Sequence, residues 1–186
     1  MTFVRKLVAV SALAAVAAGS AFAADTPGVY LLAAGGTSKY DTDCTGTTTC
    51  DNTGSAFKAV GGYRFGNGIA AEVVSFNFGK AEYRASGIHL ELKATAIGAG
   101  VAVYSEFASN WLFTARLGAA SVKMKGTVPN VGSVSDSTTN AYAGLSVAYH
   151  VTPTVSAELG WDSTRGKVAG ESGNISAFTL GLGVRF

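Results

Sequence analysis

Asn174-Ile-Ser-Ala-Phe-Thr-Leu-Gly-Leu-Gly-Val-Arg-Phe186 is the stretch from which the rest of the chain can be read. Phe178, Leu180, Leu182, Val184 and Phe186 recur at period two, and Ala177, Thr179, Gly181, Gly183 and Arg185 fall between them. A β-strand sends alternate side chains to opposite faces, so this strand is apolar on one face and small or polar on the other. A strand this apolar is an aggregation hazard when its edge is left open. Closing the sheet into a barrel removes the edge. An amphipathic strand of a secreted sandwich would alternate in the same way, so this stretch alone leaves both folds open.

The ending resembles the closing strand of bacterial outer-membrane β-barrels. The resemblance implies that Phe178, Leu180, Leu182, Val184 and Phe186 are read by the barrel-assembly machinery.

Working back from this strand, seven more alternating segments are expected, at about 28–37, 55–65, 69–79, 90–104, 111–124, 140–150 and 154–163. Short and long connections take turns between them. Gly66-Asn67-Gly68 is a strong hairpin signal, and Val151-Thr152-Pro153 is a second tight turn. Short turns at one end and long polar loops at the other are the pattern of an outer-membrane barrel. With an even strand count, both termini are expected in the periplasm. Loops at about 38–54, 80–89, 125–139 and 164–173, rich in Thr, Ser, Gly and Asn, are then expected outside.

The charges sort with this fold. Lys58 and Arg64 alternate with Phe57, Tyr63 and Phe65, and Arg116 lies opposite Trp111, Phe113 and Leu117. Glu158 and Asp162 lie opposite Leu159 and Trp161. A charge facing mid-bilayer lipid costs about 2–4 kcal/mol, so this sorting points to one face meeting lipid. The outward aromatics form two expected girdles. Tyr63, Phe65, Trp111, Phe113, Tyr149 and Phe186 belong to the turn end, and Phe57, Trp161 and Phe178 to the loop end. Two segments are less regular. Val74, Phe76 and Phe78 blur the alternation around Glu72, and a bulge or register change is expected near Lys93.

The N-terminus sets the compartment. Arg5 and Lys6 precede an uncharged apolar run from Leu7 to Ala18, and Ala21-Phe22-Ala23 supplies a cleavage pattern. A secretory signal peptide over 1–23, cut before Ala24, is therefore expected, leaving 24–186 as one barrel domain. The run is too short for a spanning helix, which needs about 20 apolar residues. Charged residues make up 14% of the chain, low for a soluble protein, with 24 Gly and 3 Pro. A net charge of +2 argues for no nucleic-acid partner. Cys44 and Cys50 lie in a polar stretch. In an oxidising compartment they are expected to form a disulfide stapling the loop, since their spacing suits neither a redox motif nor a metal site.

Arg64, Glu72, Arg116 and Glu158 fall at similar heights on the inner face, Arg185 lower, and Lys58 and Asp162 higher. An eight-stranded barrel is just wide enough to be filled by side chains, so these seven charges are expected to pair and plug the lumen. No cofactor, metal or catalytic residue is expected. His89 and His150 have no Ser at a neighbouring position suited to a dyad.

Gly28-Val-Tyr-Leu31, Gly61-Gly-Tyr-Arg-Phe-Gly-Asn-Gly-Ile-Ala-Ala-Glu72 and Gly183-Val-Arg-Phe186 together resemble the OmpA/OmpX-type eight-stranded outer-membrane barrels. The resemblance covers nearly all of 24–186 and implies an all-β, antiparallel, up-and-down transmembrane barrel in a Gram-negative outer membrane. It implies a salt-bridged interior and a role in envelope integrity, adhesion or surface interaction through the loops. It does not extend to a peptidoglycan-binding domain, so anchoring to the cell wall is not implied. The partners expected are outer-membrane lipid, the assembly machinery and surface or host ligands, with the barrel a monomer. Three rivals make different expectations: a narrow ion channel, a lipid A-modifying enzyme and a secreted lipocalin-like binder, whose apolar face would point inward.

Overall fold

The computed structural model describes residues 27–41, 49–85, 88–128, 132–168 and 171–186. The expected signal peptide and Cys44 lie outside these residues, as does the side chain of Cys50, so the disulfide is not part of the described structure. Nine strands follow one another: β1 (Gly28–Tyr40), β2 (Thr49–Asp51), β3 (Thr53–Arg64), β4 (Ile69–Ala85), β5 (Ile88–Ala108), β6 (Trp111–Val128), β7 (Gly132–His150), β8 (Val155–Val168) and β9 (Glu171–Arg185). β2 is a three-residue extension separated from β3 by Asn52 alone. At that break Asp51 accepts hydrogen bonds from the backbone N–H and the hydroxyl of Thr53, which holds its carboxyl below the usual carboxylate range. The remaining eight strands close an antiparallel up-and-down barrel, with β1 paired to both β3 and β9, and β4 to β5. No sheet edge is left along the barrel wall, which is the solution a spanning sheet requires.

The inside and outside are reversed relative to a soluble domain. Leu180, Leu182 and Phe178 are 64%, 61% and 60% exposed, whereas Lys58, Glu72, Arg116 and Asp162 are buried. A lipocalin-like binder would show the opposite, so that alternative is excluded. From Trp111 to Ala119 the outward residues of β6 are apolar, and Ser121, Lys123 and Lys125 continue the same face. That apolar span matches the roughly 9–11 residues a strand needs to cross a bilayer.

Three features differ from the sequence expectation. First, the expected loops at 80–89, 125–139 and 164–173 are largely strand, since β4–β5, β6–β7 and β8–β9 run as paired hairpins almost to their tips. Ser and Thr suit a pleated backbone even without an apolar face to bury, because neighbouring strands satisfy their N–H and C=O groups. Second, Val74, Phe76 and Phe78 point inward with Glu72, so the alternation in β4 is intact and the lumen itself is apolar there.

Third, the register change near Lys93 exists, but the extra residue is on β4. Asn77 pairs with Thr95 and Lys80 with Lys93, so residues 78 and 79 face Ala94 alone. Gly79 supplies the left-handed conformation of this bulge, with φ of 68°. A bulge frees backbone carbonyls from the ladder, and here they find partners across the interior. Ser38 donates to the Phe78 carbonyl at 2.5 Å, and the Tyr40 hydroxyl lies 3.2 Å from the carbonyls of both Phe78 and Gly79.

Candidate functional site

The inward residues of this barrel form two storeys. The storey nearer the short turns holds the charges. Glu72, Arg116, Glu158 and Asp162 have room because their register neighbours are small. Glu72 lies between Gly62 and Gly100, Arg116 between Ala102 and Gly144, and Glu158 between Ala148 and Gly181. Asp162 lies between Gly144 and Ala177. At Gly144 the fit is close, since a Cβ there would come within 2.3 Å of Asp162 Oδ1. The glycines of the inner face thus let long charged side chains cross the lumen.

Arg116 is the centre of the network. Its Nε donates to both Glu72 oxygens at 3.1 Å, Nη1 donates to Ser146 Oγ at 2.7 Å, and Nη2 donates to Glu158 Oε2 at 3.2 Å. Tyr30 donates its hydroxyl to Glu72. One layer higher, Lys58 Nζ donates to Asp162 Oδ2 at 2.7 Å and lies 3.7 Å from Glu158 Oε1, linking the two layers. Five of the seven residues read from the sequence are therefore one connected chain across the lumen. Taking such ions out of water is costly, and close pairing offsets the cost only while every partner stays in place.

Arg64 and Arg185 lie nearer the mouth at the short-turn end. The Arg64 guanidinium stacks 4.6 Å from the Tyr104 ring centroid and 5.2 Å from that of Tyr30, a cation–π arrangement. Arg185, Arg64, His150, Ser156 and Glu158 line a cavity of about 30 Å³ at that end. Two network members were not singled out in the sequence, Tyr30 and Ser146. Both lie on the inner face by simple alternation. Only the cross-strand register, which no single strand reveals, puts them beside Glu72 and Arg116.

The upper storey is aromatic and aliphatic. Phe76 stacks on Phe78 at 5.2 Å and meets Tyr142 edge-on at 5.7 Å. Tyr40, Val122 and Ile175 are buried with them.

On the outside, Tyr63 and Phe65 are in edge contact at 5.3 Å, and Trp111 and Tyr149 lie 5.1 Å apart. Phe107, not expected from the sequence, joins them at 6.3 Å from Trp111 and is 62% exposed. Phe57, Phe178 and Phe186 are exposed on the outer wall, and Phe113 and Trp161 are half-buried there.

A closed antiparallel barrel with an apolar exterior and a charged, packed interior defines the class: a transmembrane barrel of the outer-membrane type. The chain belongs to the outer membrane protein beta-barrel domain family, whose pattern matches residues 8–186. That membership places it in the outer membrane. No curated protein matches it significantly in sequence.

Among solved structures it is similar to Neisserial surface protein A, at 16% identity and a TM-score of 0.63, covering 87% of this chain and 100% of that one. It is similar to Ail, the attachment invasion locus protein of Yersinia pestis, at 18% identity and a TM-score of 0.56, covering 86% and 99%. It is also similar to OprG from Pseudomonas aeruginosa, at 12% identity and a TM-score of 0.54, covering 86% and 96%. At such identities the likeness speaks for the fold.

Proposed function

We propose that this chain is a non-enzymatic structural and surface-interaction protein of the outer membrane, its lumen plugged and its extracellular hairpins the contact surface. It is exported by a signal peptide cleaved before Ala24, assembled through its C-terminal strand and monomeric. The observation that carries the plug is the unbroken chain Glu72–Arg116–Glu158–Lys58–Asp162 spanning the interior beneath an aromatic layer. The surface role is supported by the long hairpins and by one similar structure, which is named as an attachment invasion protein.

Planar-bilayer recording of the refolded mature chain tests the plug. No reproducible conductance is expected, and steps that change when Glu72 or Arg116 is neutralised would replace the plug with a channel. A heat-modifiable, trypsin-resistant band on gels is expected from the same preparation.

The enzyme alternative has one structural point to answer, because Ser156 is the register partner of His150. Both residues face the lumen mouth beside Arg185. Acyl chains lie against the outer wall, away from that pair. His150→Ala is expected to leave the lipid A profile of expressing cells unchanged by mass spectrometry.

A further inference from the structure

The outer wall has a charge arrangement that the barrel itself does not need. Going up each strand, the outward face stays mostly apolar, then turns to Ser, Thr or Asn: Thr37, Ser55, Asn77, Thr95, Ser121, Thr139, Ser163 and Ser176. Immediately above, on β4, β5 and β6, come Lys80, Lys93, Lys123 and Lys125, all exposed. Their register makes a ladder. Lys80 is directly opposite Lys93, and Lys93 is directly opposite Lys125.

Like charges in directly opposed positions destabilise a sheet. The local acids only partly offset them. Glu91 pairs with Lys80 at 2.8 Å and keeps its ammonium above the usual lysine range. Among the described residues no ion pair engages Lys93, Lys123 or Lys125. The opposite end of the same wall carries Ile69, Val103 and Trp111 in place of cations.

We propose that the Lys80–Lys93–Lys123–Lys125 ladder docks a phosphate-bearing lipid of the outer leaflet, its phosphates on the lysines and its acyl chains on the wall below. The inference rests on the barrel spanning the outer membrane with its hairpins outside. The occupant follows from continuity. The lysines stand just above the apolar strip of Ile97, Val101 and Leu117, which are 62%, 54% and 45% exposed. A ligand with an anionic head and hydrocarbon tails matches both surfaces at once, whereas a free anion would match only the upper one.

The test uses the mature chain in phosphatidylcholine nanodiscs doped with lipid A, extracted into mild detergent and weighed by native mass spectrometry. The wild type is expected to retain lipid A. Lys93→Gln combined with Lys123→Gln and Lys125→Gln is expected to lower retention at least tenfold. Lys39→Gln, on β1 across the barrel, is expected to leave retention unchanged, and dephosphorylated lipid A is expected to be retained no better than phosphatidylcholine. Equal retention by the triple variant, equal retention of the dephosphorylated lipid, or displacement by an equimolar amount of inorganic phosphate would each overturn the proposal. Heat-modifiability is measured alongside. A normal mobility shift with unchanged lipid retention removes the ladder only, whereas loss of the shift in the wild type removes the barrel reading on which it rests.

Discussion

The two storeys of the lumen solve one problem by opposite means. Near the turns, Arg116, Lys58 and three carboxylates fill the space with ion pairs set among glycines and alanines. Near the hairpins, Phe76, Phe78, Tyr142, Tyr40 and Ile175 fill it with rings and methyl groups. The two fail differently. An ionic storey is all-or-none, because removing one member strands its partners. An apolar storey degrades in proportion to the volume removed.

Arg116→Met should have the largest effect, because it leaves Glu72 and Glu158 buried without their guanidinium. A loss of about 3–5 kcal/mol is expected in urea unfolding of the refolded barrel. The contrast sharpens if Glu72→Gln and Glu158→Gln added to that variant restore part of the loss, since the apolar storey offers no such rescue. A triple variant weaker than the single one would break the all-or-none picture.

Phe78→Ala should follow closely, with about 3–4 kcal/mol from the cavity left beside Phe76. Phe78→Leu should cost visibly less. Indifference to the size of the replacement would show that the upper storey is not packed as a unit. Ser38→Ala should cost about 0.5–1.5 kcal/mol, because it takes away the closer of two donors to the buried Phe78 carbonyl and leaves the Tyr40 hydroxyl in place. The smallest quantity is the coupling between storeys. Arg116→Met and Phe78→Ala should add to within about 0.5 kcal/mol, and a wider departure from additivity in a double-mutant cycle would merge the two storeys into one.

Legibility in the sequence followed the same division. The faces of β3, β6, β7, β8 and β9 could be read directly, because lipid tolerates no charge and each strand carries its own record of that constraint. Alternation alone therefore places Lys58, Arg64, Arg116, Glu158 and Asp162 inside. The apolar storey was hidden for the complementary reason. Phe76 and Phe78 are as apolar as any lipid-facing residue, so polarity cannot show which way they point. Strands run longer than composition suggests because Ser, Thr and Gly mark loops by composition, whereas pairing with a neighbour keeps them extended. Tyr30 and Ser146 needed the register between strands, and that is a property of the closed sheet.

Gly79 has a consequence for which lengths this hairpin tolerates. The extra residue it accommodates shifts the parity of everything above it on β4, so that Lys80 faces out and Ala81 faces in. Removing Gly79 would bring Lys80 directly after the inward Phe78 in regular alternation and leave Lys80 outward and Ala81 inward. One further inserted residue would instead turn Lys80 toward the lumen and Ala81 toward the exterior. Trimming or lengthening the β4–β5 tip in pairs would leave the sides as they are. A one-residue deletion at the bulge is thus absorbed by restoring the regular ladder, and a one-residue insertion requires a second bulge to restore the count.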